Sequence, residues 1–328
     1  MQRHLLCLAP GLCIALGAAL AARDATAQDY PSRPVSFVVP YAAGGTTDAM
    51  ARLLGQKLEK RLGKPFVVEN KPGAATVIGA VAVAKSTPDG HTILYATSTT
   101  MAINVTARKN LPYDPTKDFV PVALVADIPF ILVVSPALPV QSVDDLVALA
   151  KTRPLPYGSN GHGGAGHLFM ELLKSTTGVG SMTHVPYKGL APALNDTVAG
   201  HVQVMFGDFS TTLPLVRAGR LRALGVSTVQ RVAAAPEIPP LAEAGLPGFD
   251  ASSWQMIVAP GGTPREIVVR LNAELRAIVG DADVNRYLVD NGIVPIVSAP
   301  PDELAVYVKS EIVRWGRIVE QAGAAGSE

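Results

Sequence analysis

Pro34-Val35-Ser36-Phe37-Val38-Val39-Pro40-Tyr41-Ala42-Ala43-Gly44-Gly45-Thr46-Thr47-Asp48 reads as a strand, a glycine turn and a helix start. Residues 34–40 are short, apolar and β-branched, the pattern of a buried strand. Beyond the turn Met50, Leu53, Leu54, Leu58 and Leu62 recur at helical spacing. Such a turn aims free backbone N–H groups above the strand end, and the helix start adds a partial positive charge there. The chemistry suits a small anion.

A second turn of this kind lies far down the chain. Leu155-Pro156-Tyr157-Gly158-Ser159 enters Asn160-Gly161-His162-Gly163-Gly164-Ala165-Gly166, and a short amphipathic helix follows from His167. Two anion-friendly helix starts predict two lobes gripping one ligand from opposite sides.

The N-terminus reads as a secretory signal. Arg3 and His4 precede an apolar run from Leu5 to Leu20, and Ala25-Thr26-Ala27 is an A-x-A site with cleavage expected after Ala27. Residues 1–27 are therefore set apart from the fold. Cys7 and Cys13 both lie inside that segment, so the mature chain is expected to lack disulfides, thiolate metal sites and Cys nucleophiles. Cleavage removes Arg3, Arg23 and Asp24 from 28 basic and 27 acidic residues, leaving a formal charge of zero. A neutral chain with dispersed basic residues argues against nucleic acid as a partner and against a polybasic membrane patch. No later apolar run reaches about 18 residues free of charge and proline, so a soluble protein outside the cytoplasm is expected, in the periplasm if the source is Gram-negative.

The remaining chain, about 300 residues, is long enough for two cores. Strands are predicted over 65–70, 92–96, 155–159, 182–185, 201–206, 221–226 and 293–297. Helices are predicted over 76–84, 166–176, 190–199, from Pro264 to about 279, over 281–291 and over 301–322. Ser142 is placed as an N-cap, and Gly292 as a left-handed C-terminal cap. The alternation predicts an α/β fold with parallel sheets covered by helices on both faces. The stretch 120–134, broken by Pro129, and the stretch 253–259 carry the chain between lobes. Residues 28–128 plus 253–328 form the first lobe and 129–252 the second, with crossings near 125–134 and 250–259.

Several short motifs, in order, resemble one family. They include Tyr30-Pro31-Ser32-Arg33-Pro34, Gly44-Gly45-Thr46-Thr47-Asp48, Val67-Val68-Glu69-Asn70-Lys71-Pro72-Gly73-Ala74 and Pro88-Asp89-Gly90-His91-Thr92. Leu111-Pro112-Tyr113-Asp114-Pro115, His184-Val185-Pro186-Tyr187-Lys188-Gly189, Leu221-Arg222-Ala223-Leu224, Glu243-Ala244-Gly245-Leu246-Pro247-Gly248-Phe249 and Ala259-Pro260-Gly261-Gly262-Thr263-Pro264 continue the series. Together they span essentially the whole mature chain. The chain resembles the Bug-type, TctC-like solute receptors of tripartite tricarboxylate transporters.

That resemblance implies a two-lobed periplasmic binding protein of type II, a Venus flytrap in which each lobe is a sheet flanked by helices. It implies two crossover strands as the hinge. It implies that both glycine turns hold a ligand carboxylate, mostly through backbone N–H groups and water. It also implies delivery to integral membrane transporter subunits. Two departures from the family pattern stand out: Ala43 replaces a usual Pro, and Gly164 and Ala165 replace residues that often offer hydroxyls.

The candidate ligand-binding set is Tyr41, Ala43, Gly44, Gly45, Thr46, Ser98, Thr99, Ser159, Gly161, His162, Gly163, Gly164, Ala165 and Asp208. Asp48 would repel an anion from inside a cleft, so it is expected to cap or complement the helix start. His162 stands between a ligand contact and a solvent-facing loop residue. Ser98, Thr99 and Thr100 stand between a strand-end site and ordinary structure. Asp208 either accepts from a ligand hydroxyl or ammonium, or caps a helix beginning near Ser210. Lys188 reads more simply as a loop lysine. No H-E-x-x-H run or comparable ligand cluster occurs, so no metal and no cofactor is expected.

The leading function is capture of a small carboxylate by a monomeric receptor without catalysis. Candidate ligands are di- and tricarboxylic acids, acidic amino acids and aromatic acids. The alternative is a secreted hydrolase using Ser159 or Ser98 with a nearby His, although Gly158-Ser159-Asn160-Gly161 lacks G-x-S-x-G spacing. A nucleotide or phosphate binder ranks last, because no G-x-x-x-x-G-K-[ST] run is present.

Overall fold

The computed structural model describes residues 30–326, so the expected signal peptide lies outside the described residues. Two sheets form, each flanked by helices.

The first sheet takes β1 (Val35–Val39), β2 (Phe66–Asn70), β3 (Thr92–Thr97), β4 (Phe119–Ile128), β10 (Ser253–Pro260) and β11 (Val294–Pro295). Their spatial order is β11-β4-β10-β3-β1-β2. The second sheet takes β5 (Phe130–Val134), β6 (Leu155–Ser159), β7 (Met182–Pro186), β8 (Val204–Asp208) and β9 (Arg222–Val226). Its order is β7-β6-β8-β5-β9.

The expectation of purely parallel sheets is corrected: both are mixed. β1 pairs in parallel with β2 and β3, but β10 runs antiparallel to β3 and β4. β6 pairs in parallel with β7 and β8, but β5 runs antiparallel to β8 and β9. The cause lies in the crossings. A strand that enters a sheet from the other lobe arrives from the opposite end. The stretch 120–134, broken by Pro129, accordingly divides into β4 of one sheet and β5 of the other.

The helices explain themselves locally. α1 (Thr46–Leu62) buries Met50, Leu54 and Leu58, one residue per turn on one face. Burying each such side chain contributes roughly 1.5–3 kcal/mol. α2 (Val77–Ala84) follows, and after β3 a turn of π-helix at Thr99–Ile103 leads into α3 (Asn104–Ala107). α4 (Val143–Thr152) begins with a capping box, in which Ser142 Oγ accepts from the Asp145 N–H and Asp145 accepts from the Ser142 N–H. α5 (Ala165–Thr177), α6 (Leu190–Ala199) and α7 (Phe209–Arg217) serve the second sheet. α8 (Arg265–Gly280), α9 (Ala282–Asp290) and α10 (Pro301–Gln321) complete the first. Gly292 follows α9 with φ +69°, the left-handed cap the sequence asks for.

Ser227, just past β9, bridges the two crossings, since the Ala251 N–H donates to Ser227 O at 2.9 Å. The Phe130 N–H donates to Ser227 Oγ at 3.0 Å, and the Ser227 N–H donates to Phe130 O at 2.9 Å. α10 links the halves a third time, since Trp315 stacks on Phe169 of α5 with ring centroids 5.9 Å apart. Among the described residues no helix is long and apolar enough to cross a membrane.

Candidate functional site

A cavity of about 260 Å³ lies between the sheets, lined by residues of both. On one side β1 ends and the chain turns through Gly44, whose φ of +90° suits glycine. The first intrahelical bond of α1 runs from the Ala49 N–H to Gly45 O at 3.0 Å. The amides of Thr46, Thr47 and Asp48 precede it and have no carbonyl to meet along the helix.

The Gly44 N–H is not among the free donors, because it donates to Asp48 Oδ2 at 3.0 Å. Asp48 is buried and also accepts from Arg52 Nε at 3.0 Å and Asn70 Nδ2 at 2.9 Å. Burial alone would raise its pKa, but Arg52, the Gly44 N–H and Asn70 outweigh that and hold it below the usual range. Asp48 thus stays ionised within the turn.

On the facing side β6 ends at Ser159. Ser159 Oγ donates to Gly161 O at 3.0 Å and accepts from the Gly161 N–H at 3.1 Å. The Gly163 N–H donates to His167 Nδ1 at 3.2 Å, and the Gly164 N–H to Gly161 O at 3.3 Å. The second turn therefore satisfies the amides of Gly161, Gly163 and Gly164 from within. The free donors are those of Ala165, Gly166 and His167, ahead of the first helical bond from Leu168 N–H to Gly164 O at 3.1 Å. A Cβ on Gly166 would lie 2.9 Å from Phe206 O, so glycine lets this helix start sit directly against β8.

The lips meet across the cavity. Thr46 Oγ1 and Ser210 Oγ are 2.7 Å apart. Asp208 lines the cavity beside them, and burial pushes its carboxyl up to about 6, only partly offset by the Thr46 hydroxyl. Asp208 occupies the N-cap position of α7 but makes no side-chain cap bond. Tyr41 OH lies 3.0 Å from Thr97 Oγ1 and closes one wall.

Of the residues singled out in the sequence, Tyr41, Ala43, Gly44, Gly45, Thr46, Ala165 and Asp208 line this cavity. Thr99, Gly161, His162 and Gly164 line a neighbouring one of about 530 Å³, which also touches Tyr41. Ser98, Ser159 and Gly163 line neither. Ser98 is fully buried with its Oγ 3.3 Å from Ser253 Oγ, and Ser159 is fully buried in the turn network.

Asn160, Gln255 and Lys188 line the cavity without having been chosen. Gln255 Nε2 donates to Ser253 O at 2.8 Å, leaving Oε1 buried without a protein partner; Asn160 Oδ1 is in the same position. Gln255 was hidden because β10 reads simply as an apolar strand. Asn160 had a signal, being the polar residue inside the second turn.

A Ser–His pair does form, with Ser159 Oγ 2.6 Å from His184 Nε2. Ser159 Oγ also lies 3.0 Å from Gly161 O and accepts from the Gly161 N–H at 3.1 Å, so the pair is embedded in the turn network. Burial and the neighbouring His167 and His162 push the His184 pKa down to about 3. The histidine cluster itself was invisible in the sequence: His162, His167 and His184 each bring a ring nitrogen within 4.8 Å of the others.

Two lobes joined by crossing strands, with the helix starts at Thr46 and Ala165 lining one cavity, have the build of a solute-binding protein of the periplasmic type. A family model described as tripartite tricarboxylate transporter family receptor matches residues 50–324, and the chain belongs to that family. It is 37% identical over 306 residues to protein BugT of Bordetella pertussis, covering 92% of this chain and 93% of that one. Among solved structures it is similar to Rpa4515 of R. palustris with adipate, at 40% identity and a TM-score of 0.86, covering 90% of this chain and 99% of that one. It is also similar to MatC of Rhodopseudomonas palustris with bound malate, at 35% identity and a TM-score of 0.82, covering 88% of this chain and all (100%) of that one. The family is one of periplasmic substrate-binding receptors, and no comparison supports the hydrolase alternative.

Proposed function

We propose that this protein captures a small organic carboxylate between its lobes in the periplasm, after removal of residues 1–27. It then delivers the ligand, as a monomer, to integral membrane subunits of a tripartite transporter. The observation that carries the reading is the pair of opposed helix starts, α1 and α5, whose leading amides border one cavity. A micromolar affinity needs about 8 kcal/mol. Hydrogen bonds to a charged group contribute roughly 1.5–3 kcal/mol each, and each helix start about 0.3–1 kcal/mol. A few amides and two helix starts reach that figure without an arginine clamp, once ordering costs are subtracted. Adipate and malate in the related structures support the same ligand class.

The cavity also presents acceptors, Gln255 Oε1 and Asp208, which favour a ligand carrying a hydroxyl or a second, protonated acid group. Thermal shift across a panel of organic acids tests the reading. One or more dicarboxylates or hydroxy acids should stabilise the mature protein by about 2.7 kcal/mol at a hundredfold excess over Kd. Stabilisation by sulfonates, phosphonates or sugars alone would replace it.

A further inference from the structure

Outside the cavity the least explained group is the imidazole cluster on the second lip. The turn after β6 supplies His162, α5 supplies His167, and β7 supplies His184. Centroids of the His167 and His184 rings lie 4.0 Å apart at 18°, and the His162 ring stands nearly perpendicular to His184 at 4.7 Å. Tyr157 continues the stack from below, 5.0 Å from His184. Stacking accounts for two of these rings. It does not account for His162, nor for His184 Nδ1, which is buried with no hydrogen-bond partner.

The bonding around Ser159 gives that orphan atom a meaning. His184 Nε2 pairs with Ser159 Oγ at 2.6 Å, which leaves Nδ1 as the ring's unpartnered nitrogen. A second residue thus orients the ring, as partners of metal-bound histidines do. In His167 the lone pair lies on Nδ1, which accepts only the 3.2 Å bond from the Gly163 amide. The carboxylate of Glu171, on the same helix as His167, is engaged by Lys174 at 2.7 Å and by Tyr157 OH.

We propose that His162, His167 and His184 form a binding site for a borderline divalent transition metal such as Zn²⁺, Co²⁺ or Ni²⁺. Neutral imidazoles suit these ions. Nitrogens on a tetrahedral zinc lie roughly 3.3 Å apart, given bonds of about 2.0–2.1 Å. The rings must therefore close in from their present spacing, and the parallel pair must tilt. His162 is exposed on a turn of glycines, where its ring has room to swing toward the other two. A fourth position remains for water or a carboxylate oxygen. The site stands apart from the carboxylate reading: it can fail or hold whatever the cavity binds.

The test uses tag-free mature protein stripped with chelator. Calorimetric titration with Zn²⁺, and Co²⁺ followed by its visible ligand-field bands, should each show one equivalent per chain. His162→Ala, at an exposed position that leaves the fold intact, should abolish the cobalt bands. Ser159→Ala, which removes the partner of His184 Nε2, should weaken Zn²⁺ binding by about 10–100-fold. No stoichiometric binding by wild type overturns the proposal. So does tight binding that survives His162→Ala together with His184→Gln.

Discussion

Thr46 and Ser210 belong to opposite lobes, yet their hydroxyl oxygens are 2.7 Å apart. Thr46 opens α1 and Ser210 lies in the first turn of α7, so this bond latches the two lips directly. Ser210→Ala should lose a net contribution of about 0.5–1.5 kcal/mol, roughly 2- to 12-fold in affinity. The loss should fall mainly on dissociation. Stopped-flow release rates check it, and an unchanged rate would remove the latch.

Gly45 offers a clean way to block the cavity. Its φ of −88° is open to any residue, and an added Cβ meets nothing within 4 Å. Gly45→Trp should therefore keep stability within about 0.5 kcal/mol of wild type while ligand binding disappears. At neighbouring Gly44, with φ +90°, even alanine should destabilise by about 1 kcal/mol. Urea titration with calorimetry on both variants separates the two effects.

Asp208 predicts a pH dependence. Burial raises its carboxyl to about 6, so below that pH it is neutral and can donate to a bound carboxylate. Above that pH it is an anion facing an anion. Affinity for a fully ionised dicarboxylate should thus fall as pH rises from about 5.5 to 7.5. Asp208→Asn should flatten that slope and tighten binding at pH 7.5. Calorimetry at several pH values measures both. An unchanged slope in the variant would assign the titration to another group.

Glu311 holds two buried indoles at once. Its Oε2 accepts from Trp254 Nε1 at 2.7 Å and from Trp315 Nε1 at 3.1 Å. Glu311→Leu would leave both N–H groups buried and unpaired, a loss of about 2–6 kcal/mol. Glu311→Gln retains an acceptor and should cost less. Equilibrium unfolding in urea ranks the two.

Much of this was readable beforehand, for identifiable reasons. Strands such as Val35–Val39 and helices such as α1 announce themselves by periodicity, and Pro129 marks the crossing because it interrupts a long apolar run. Strand direction was not readable. β5 and β10 look like any buried strand, and only the return path between lobes makes them antiparallel. In the site, the glycine turns were visible but the partners of their amides were not. Nothing in the spacing shows that Asp48 takes the Gly44 N–H or that Ser159 takes the Gly161 N–H. The histidines of the second lip stand up to 22 positions apart, from His162 to His184, and meet only because β6 and β7 pair in register.

Ser227 bonds to Phe130 on one side and to the Ala251 N–H on the other, and so ties the chain's two passages together beside Pro129. In the receptor proposed above, halves pinned this way should turn like the covers of a book about a sewn spine and not slide along it. The same atoms should then come back face to face each time the covers shut. A guest would be measured against one fixed gauge, and selectivity would be set by the gauge rather than by adaptation to the guest.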